Sequence, residues 1–253
     1  MLLAGRPPGG PAANLTRVRA TRHGEHLVQL TKYPGPFPIN CYLVIEDDGL
    51  TLVDTQIGSP AEDIARAASD LGSEVKRVLL THAHYDHIGG VSDVKKRFPG
   101  AEIAIGVRDA RLLQGDVSPA PGEPPVNAKG GVQKVAWKPD QLLEEGDRVG
   151  SLRVIASPGH TPGHIAFFDT RDSSLIAGDA YQTKGRVAVS GELVLLFPFL
   201  VFGTWHKPTA LASARALRAL NPSRLGVGHG DVVESPGPAM DAAIERAERL
   251  FKE

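Results

Sequence analysis

A single cysteine, Cys41, stands in 253 residues. No internal disulfide can form, and no cysteine-rich zinc module can be built. The same scarcity fits a reducing compartment. A secretory pattern is missing as well: between Met1 and Ala20 the apolar stretch is only Leu2-Leu3-Ala4, followed by Gly5 and Pro7. A cytoplasmic location is therefore the expectation. There is no excess of either charge, since 28 Lys and Arg face 29 Asp and Glu for a formal net charge of -1. That balance argues against nucleic acid and against an anionic membrane as partner. Nor is there a long apolar run. The longest, Leu193 to Phe202, is interrupted by Pro198 and falls short of the ~20 residues a spanning helix needs. What is present is ordinary: 42% hydrophobic and 23% charged residues describe a globular chain able to bury a sizeable core.

The order of patterns predicts the elements. Residues 1–22 are rich in Gly, Pro, Ala and Arg without a period and read as a loose tail, ending in an edge strand. Residues 23–253 read as one domain. Short apolar stretches at 27–30, 41–45 and 50–53 predict strands, with Asp48-Gly49 as a hairpin turn. Ser59 reads as the cap of a helix with Pro60 at its first position and Gly72 at its end. Further strands are predicted at 75–80, 102–105, 152–156, 165–168, 174–177 and 225–227. Helices are predicted from the motif described below through about Phe98, and at 107–113, 209–220 and 238–252. Residues 118–131 are dense in Pro and Gly and read as a surface loop. Strands gather in two groups with helices between them, which predicts an α+β fold of two sheets packed face to face with helices outside.

The chemistry concentrates in His82-Ala83-His84-Tyr85-Asp86-His87. His82 and His84 are two residues apart at the end of an extended segment, so both imidazoles point the same way and can reach one ion. Asp86 and His87 follow at the turn into a helix and can face a second ion. Imidazole and carboxylate suit zinc, iron or manganese. The alternative has Asp86 merely capping the helix and the histidines lying on the surface.

The pattern His-x-His-x-Asp-His after an apolar strand resembles the metallo-β-lactamase superfamily, and the resemblance demands further segments in a fixed order. Ser157-Pro158-Gly159-His160-Thr161-Pro162-Gly163-His164, Ile176-Ala177-Gly178-Asp179 and Gly228-His229-Gly230 match them, and Leu52-Val53-Asp54-Thr55 matches the early strand. The resemblance implies an αββα sandwich with two mixed β-sheets. It implies that His82, His84 and His160 hold one metal, that Asp86, His87 and His229 hold a second, and that Asp179 bridges them. Asp54 would support the ligands from behind. The cofactors implied are two divalent ions, zinc first, with iron or manganese as alternatives.

Such a site implies a hydrolase that uses a hydroxide bridging two metals on a small-molecule substrate, opening a lactone, ester or thioester. Similarity is closest to the glyoxalase II-like and lactonase-like branch. β-Lactam hydrolysis and a mononuclear iron dioxygenase acting on persulfides are the alternatives. The latter would leave the second metal position empty, whereas Asp86, His87 and His229 are all present. Asp86 and Tyr181 are the candidates to assist the leaving group. The apolar stretch from Leu193 to Trp205, with Phe197, Phe199, Phe202 and Trp205, is the candidate substrate wall. Its other readings are a core segment or a homodimer interface.

Overall fold

The computed structural model describes residues 18–251. Residues 1–17 of the expected tail lie outside that range. Within it, the tail's last residues belong to strand β1 (Arg19–His23), which pairs antiparallel with β2 (Leu27–Lys32) at the edge of the first sheet. That sheet continues through β3 (Ile39–Glu46), β4 (Gly49–Val53), β5 (Val75–Leu80), β6 (Glu102–Gly106) and β7 (Gln141–Leu143) in sequential order. It is antiparallel up to β4 and parallel from β4 to β7. The second sheet contains β8 (Arg148–Val149), β9 (Leu152–Ala156), β10 (Ile165–Asp169) and β11 (Ser174–Ile176). A small ribbon, β12 (Tyr181–Gln182) with β13 (Ala188–Val189), stands apart. The second sheet is completed by β14 (Arg224–Gly226), parallel to β11, and β15 (Val233–Glu234).

Alternation along the strands places the layers. In β3, Cys41 and Leu43 face one way and Tyr42 and Val44 the other; in β5, Val78 and Leu80 oppose Leu79. The inner set meets Leu152, Val154, Ile165, Phe167 and Ile176 of the second sheet to form the core between the sheets. The outer face of the first sheet is covered by α1 (Ala61–Asp70), by residues of α2 (Tyr85–Ile88) and by α3 (Val91–Arg97). After α4 (Phe199–Gly203), the helices α5 (Lys207–Ala219) and α6 (Gly237–Leu250) cover the outer face of the second sheet, burying Leu211, Ala214, Leu217, Met240 and Ala247. Three apolar layers therefore alternate with two sheets, and the fold is the αββα sandwich expected. No described helix is long and apolar enough to cross a membrane.

Several local expectations need correction. The helix expected to run through Phe98 is divided into α2 and α3 at Gly89-Gly90, where the Gly90 N–H donates to the Gln56 carbonyl at 3.0 Å instead of to its own helix, and Gly90 passes so close to the Thr55 carbonyl that a Cβ would overlap the oxygen. Ser59 does not cap α1. Pro60 holds the cap position, and the Ala61 N–H is met instead by Asp93 Oδ2 of α3 at 2.9 Å. Residues 107–113 do not form an α-helix; Asp109–Gln114 is a 3-10 turn. The short strands β7, β8, β13 and β15 carry two or three residues each, too few to show a period.

Candidate metal centre

The C-terminal ends of two parallel pairs, β4 with β5 and β11 with β14, converge on one edge of the sandwich. Asp54 follows β4, His82 follows β5, Asp179 follows β11 and His229 follows β14; His160 lies in the loop between β9 and β10. Three neighbouring groups result: His82 with His84 and His160; His82 with His87 and Asp179; and Asp86 with His87 and His229. In each, the candidate ligand atoms lie within 4.8 Å of one another. All but the partly exposed Asp86 are buried. Asp179 stands between the trios, with one oxygen 3.4 Å from His87 Nε2 and the other 3.2 Å from His160 Nε2 and 3.4 Å from His229 Nε2.

Each ring is held from behind by its other nitrogen. His87 Nδ1 meets Asp54 Oδ2 at 2.8 Å, and His229 Nδ1 meets the Pro38 carbonyl at 2.7 Å. His160 Nδ1 meets Ser190 Oγ at 2.9 Å, and His82 Nδ1 meets Thr81 Oγ1 at 3.0 Å. His84 is reversed: its Nε2 meets the Lys129 carbonyl at 2.7 Å, leaving Nδ1 to face His160 Nε2 at 2.9 Å. These contacts fix ring orientation and the nitrogen presented inward. Asp54 sits at φ 61, a left-handed conformation uncommon away from glycine. There its carboxylate accepts from the Thr81 N–H and hydroxyl as well as facing His87. His164 belongs to the same support. Its Nδ1 meets Ser157 Oγ at 2.8 Å and its Nε2 accepts from the Asp179 N–H at 3.1 Å. Burial pushes His164 down to about 3, so it is neutral and able to accept. Gly228 is required by close approach: a Cβ there would overlap Asp179 Oδ1 and His87.

The residues fit a pair of cations. His82 Nε2, His87 Nε2 and Asp179 Oδ1 are buried without a hydrogen-bond partner, a costly state that an ion between them would relieve. Burial holds His82 and His160 well below the ordinary imidazole value, which keeps their nitrogens free to coordinate. Burial alone would also lower His87 and His229. Asp179, with Asp54 and Asp86 around His87 and with Asp86 beside His229, overrides it and pushes both up, His229 to about 10. Burial would raise Asp179, yet His229, His87 and His160 hold its carboxyl well below the usual range. The carboxylates thus favour protons on His87 and His229, and metal uptake there would displace them. Among the described residues, these are the only trios of metal-ligating side chains.

A model of the metallo-beta-lactamase superfamily matches residues 34–229. The chain belongs to that superfamily. It is 46% identical over 222 residues to the uncharacterized protein YobT of Bacillus subtilis (strain 168), covering 87% of this chain and 95% of that one. A hydroxyacylglutathione hydrolase of Rhodospirillum rubrum is 37% identical over 131 residues, half of this chain and 42% of that protein. Among solved structures, TTHA1623 in a di-iron-bound form superposes with a TM-score of 0.60 at 29% identity, over 81% of this chain and 94% of that one. The DIM-1 metallo-beta-lactamase superposes at 0.69 with 17% identity, over 92% and 98%, a likeness of fold alone.

The candidate substrate residues of this superfamily member divide. A cleft of about 220 Å³ over the histidines is lined by Phe199, Leu200, Phe202 and Gly203 together with Gly130 and Gly131. Phe197 lies behind it, fully buried and stacked on His229 with ring centroids 4.5 Å apart. Trp205 is buried away from the cleft and donates its indole N–H to the Val126 carbonyl at 2.9 Å. Tyr181 does not reach the site. It is fully buried in the layer beneath α5, where its hydroxyl donates to the Ala214 carbonyl at 2.8 Å, and burial raises its pKa further. Tyr181→Phe should therefore leave hydrolysis within twofold of wild type and cost roughly 0.5–1.5 kcal/mol in urea unfolding. A large fall in kcat would return the tyrosine to the chemistry. Sequence reasoning missed Ser190, Thr81 and the Lys129 carbonyl. The loop at 118–131 is a wall of the site as well as a surface segment, and its composition held no signal of that.

Proposed function

We propose that the chain is a dinuclear metal hydrolase that opens a lactone, ester or thioester with an apolar acyl portion. The observation that carries the reading is the set of three adjoining trios with Asp179 beside His87, His160 and His229, in which His82 Nε2, His87 Nε2 and Asp179 Oδ1 are buried without a hydrogen-bond partner. Two divalent ions bound there supply a water nucleophile active at neutral pH and a Lewis acid for the developing oxyanion. His82, His84 and His160 would hold one, Asp86, His87 and His229 the other, and Asp179 both. Zinc is the first candidate, and iron is the second because the similar TTHA1623 structure is of a di-iron-bound form. The chain's own residues orient and shield. Phe199 and Phe202 exclude water from one side of the cleft, and the glycines at 130–131 let the substrate approach His84 closely. Of the two leaving-group candidates, Asp86 alone lies at the cleft; burial would raise its carboxyl, yet His87 and His229 hold it well below the usual range, so it stands there ionised.

Substrate size follows from the cleft. Its 220 Å³ is below the ~300–1,000 Å³ of common ligand pockets. It suits the reacting group alone, with the remainder lying over Phe199 and Phe202, which are 52% and 72% exposed. The name of the Rhodospirillum rubrum relative keeps thioesters in consideration. The test is metal analysis of the purified protein beside a panel of lactones, acyl thioesters, β-lactams and phosphodiesters. About two ions per chain, and highest kcat/KM on an apolar lactone, ester or thioester, are expected. About one iron per chain with oxygen uptake on a glutathione persulfide would sink the reading, and a preference for β-lactams would redirect it.

A further inference from the structure

Five acids are buried among the described residues: Asp54, Asp109, Asp169, Asp179 and Glu192. Four of them face a cation or an imidazole. Asp54 and Asp179 meet His87, Asp169 meets Arg171, and Glu192 meets Arg246. Asp109 has no such partner. Its neighbour Arg108 turns away to Glu123, at 2.6 and 2.8 Å. Asp109 instead accepts from three neutral groups. Oδ2 takes the Ala83 N–H at 2.9 Å and the Thr161 hydroxyl at 2.7 Å, and Oδ1 takes the Gly163 N–H at 2.7 Å. Burying an unpaired carboxylate is expensive, and these three bonds are its compensation.

The positions of the donors give the carboxylate a purpose. Ala83 lies between His82 and His84, and Thr161 directly follows His160. We infer that Asp109 is a positioning residue for the first metal trio, its carboxylate fixing the backbone that carries His82 and His84 to the turn that carries His160. The inference rests on the di-metal reading above. No neutral side chain of that size can do the same. The site needs three acceptor positions on two oxygens, and Asn would turn an amide N–H toward a donor. Gly163 is shaped to the same end, since a Cβ there would overlap the Asp109 backbone nitrogen and stand 2.7 Å from Oδ1. The 3-10 turn that begins at Asp109 directly follows β6, the neighbour of β5, so the carboxylate is carried on the rigid sheet that also carries His82.

The experiment is a stepwise cobalt titration of the full, chelator-stripped chain, read by its visible absorption and by competition with a chromophoric chelator. Wild type is compared with Asp109→Asn and with Gly163→Ala, which shifts the carboxylate without removing its charge. His160→Gln and His229→Gln identify which step belongs to which trio. Both test variants should weaken the step lost in His160→Gln by about 10–100-fold and leave the His229 step near wild type. Unchanged affinity at both steps, or equal weakening of the two, overturns the inference. Failure of wild type to take up a second ion overturns the di-metal reading instead.

Discussion

Asp179→Asn is expected to cut hydrolysis at least about 10³-fold, ~4 kcal/mol in activation free energy, and to lower metal content in the same preparation. The side chain keeps its shape and loses its charge. Its two oxygens lie near residues of both trios, one beside His87 and the other beside His160 and His229. A neutral amide offers one weak oxygen donor where the arrangement supplies two anionic ones. It also leaves His87 and His229, whose burial disfavours the charged form, without the carboxylate that does most to raise their pKa. The fold should survive, because the backbone N–H of residue 179 still donates to His164. Elemental analysis, far-UV circular dichroism and turnover on one preparation separate the cases. Full metal content with near-normal turnover would show that the carboxylate does not join two ions.

Phe167→Ala should be the most damaging single change to stability away from the centre. The ring is fully buried on β10 in the layer between the sheets, among Leu79, Val154 and Ile176. Truncating a phenylalanine in such a position costs about 3–5 kcal/mol, because the cavity cannot collapse against two rigid sheets. For a chain of this length that corresponds to a fall in melting temperature of roughly 6–20 °C. Thermal and urea unfolding followed by tryptophan fluorescence measure it. A loss below about 1 kcal/mol would mean that the sheets close over the gap, contradicting a rigid core.

The parts of this architecture visible in the sequence are those with a period or a spacing. The strand alternation around Cys41 to Ile45 and Val75 to Leu80 carries the two faces of the first sheet. The spacing of His82, His84, Asp86 and His87 carries their common direction, and the three side chains grouped with them by resemblance, His160, Asp179 and His229, do lie beside them. What the sequence hid falls under two physical headings. Backbone carbonyls such as those of Lys129 and Pro38 bind ring nitrogens whatever the side chain is, so composition cannot reveal them. Facing within an apolar segment is equally hidden: Phe197, Phe199, Phe202 and Trp205 look alike as a run, yet two line the cleft, one stacks behind His229 and one anchors the 118–131 loop. Tyr181 was misplaced for the same reason, since the 3-10 turn at Gly178–Ala180 directs the next side chain into the core.

The distribution of the centre along the chain also sets its timing. His229 follows His82 by 147 residues, so the histidine motif leaves the ribosome well before His229. Its backbone is held by the first sheet, through Asn40 Nδ2 to the carbonyls of Val227 and Gly230. A nascent chain can expose the histidine motif long before the last strand exists to close the second trio. The complete centre therefore forms only after the second sheet has been made, and an ion held across both sheets would then act as a tether that opposes their separation by mass action.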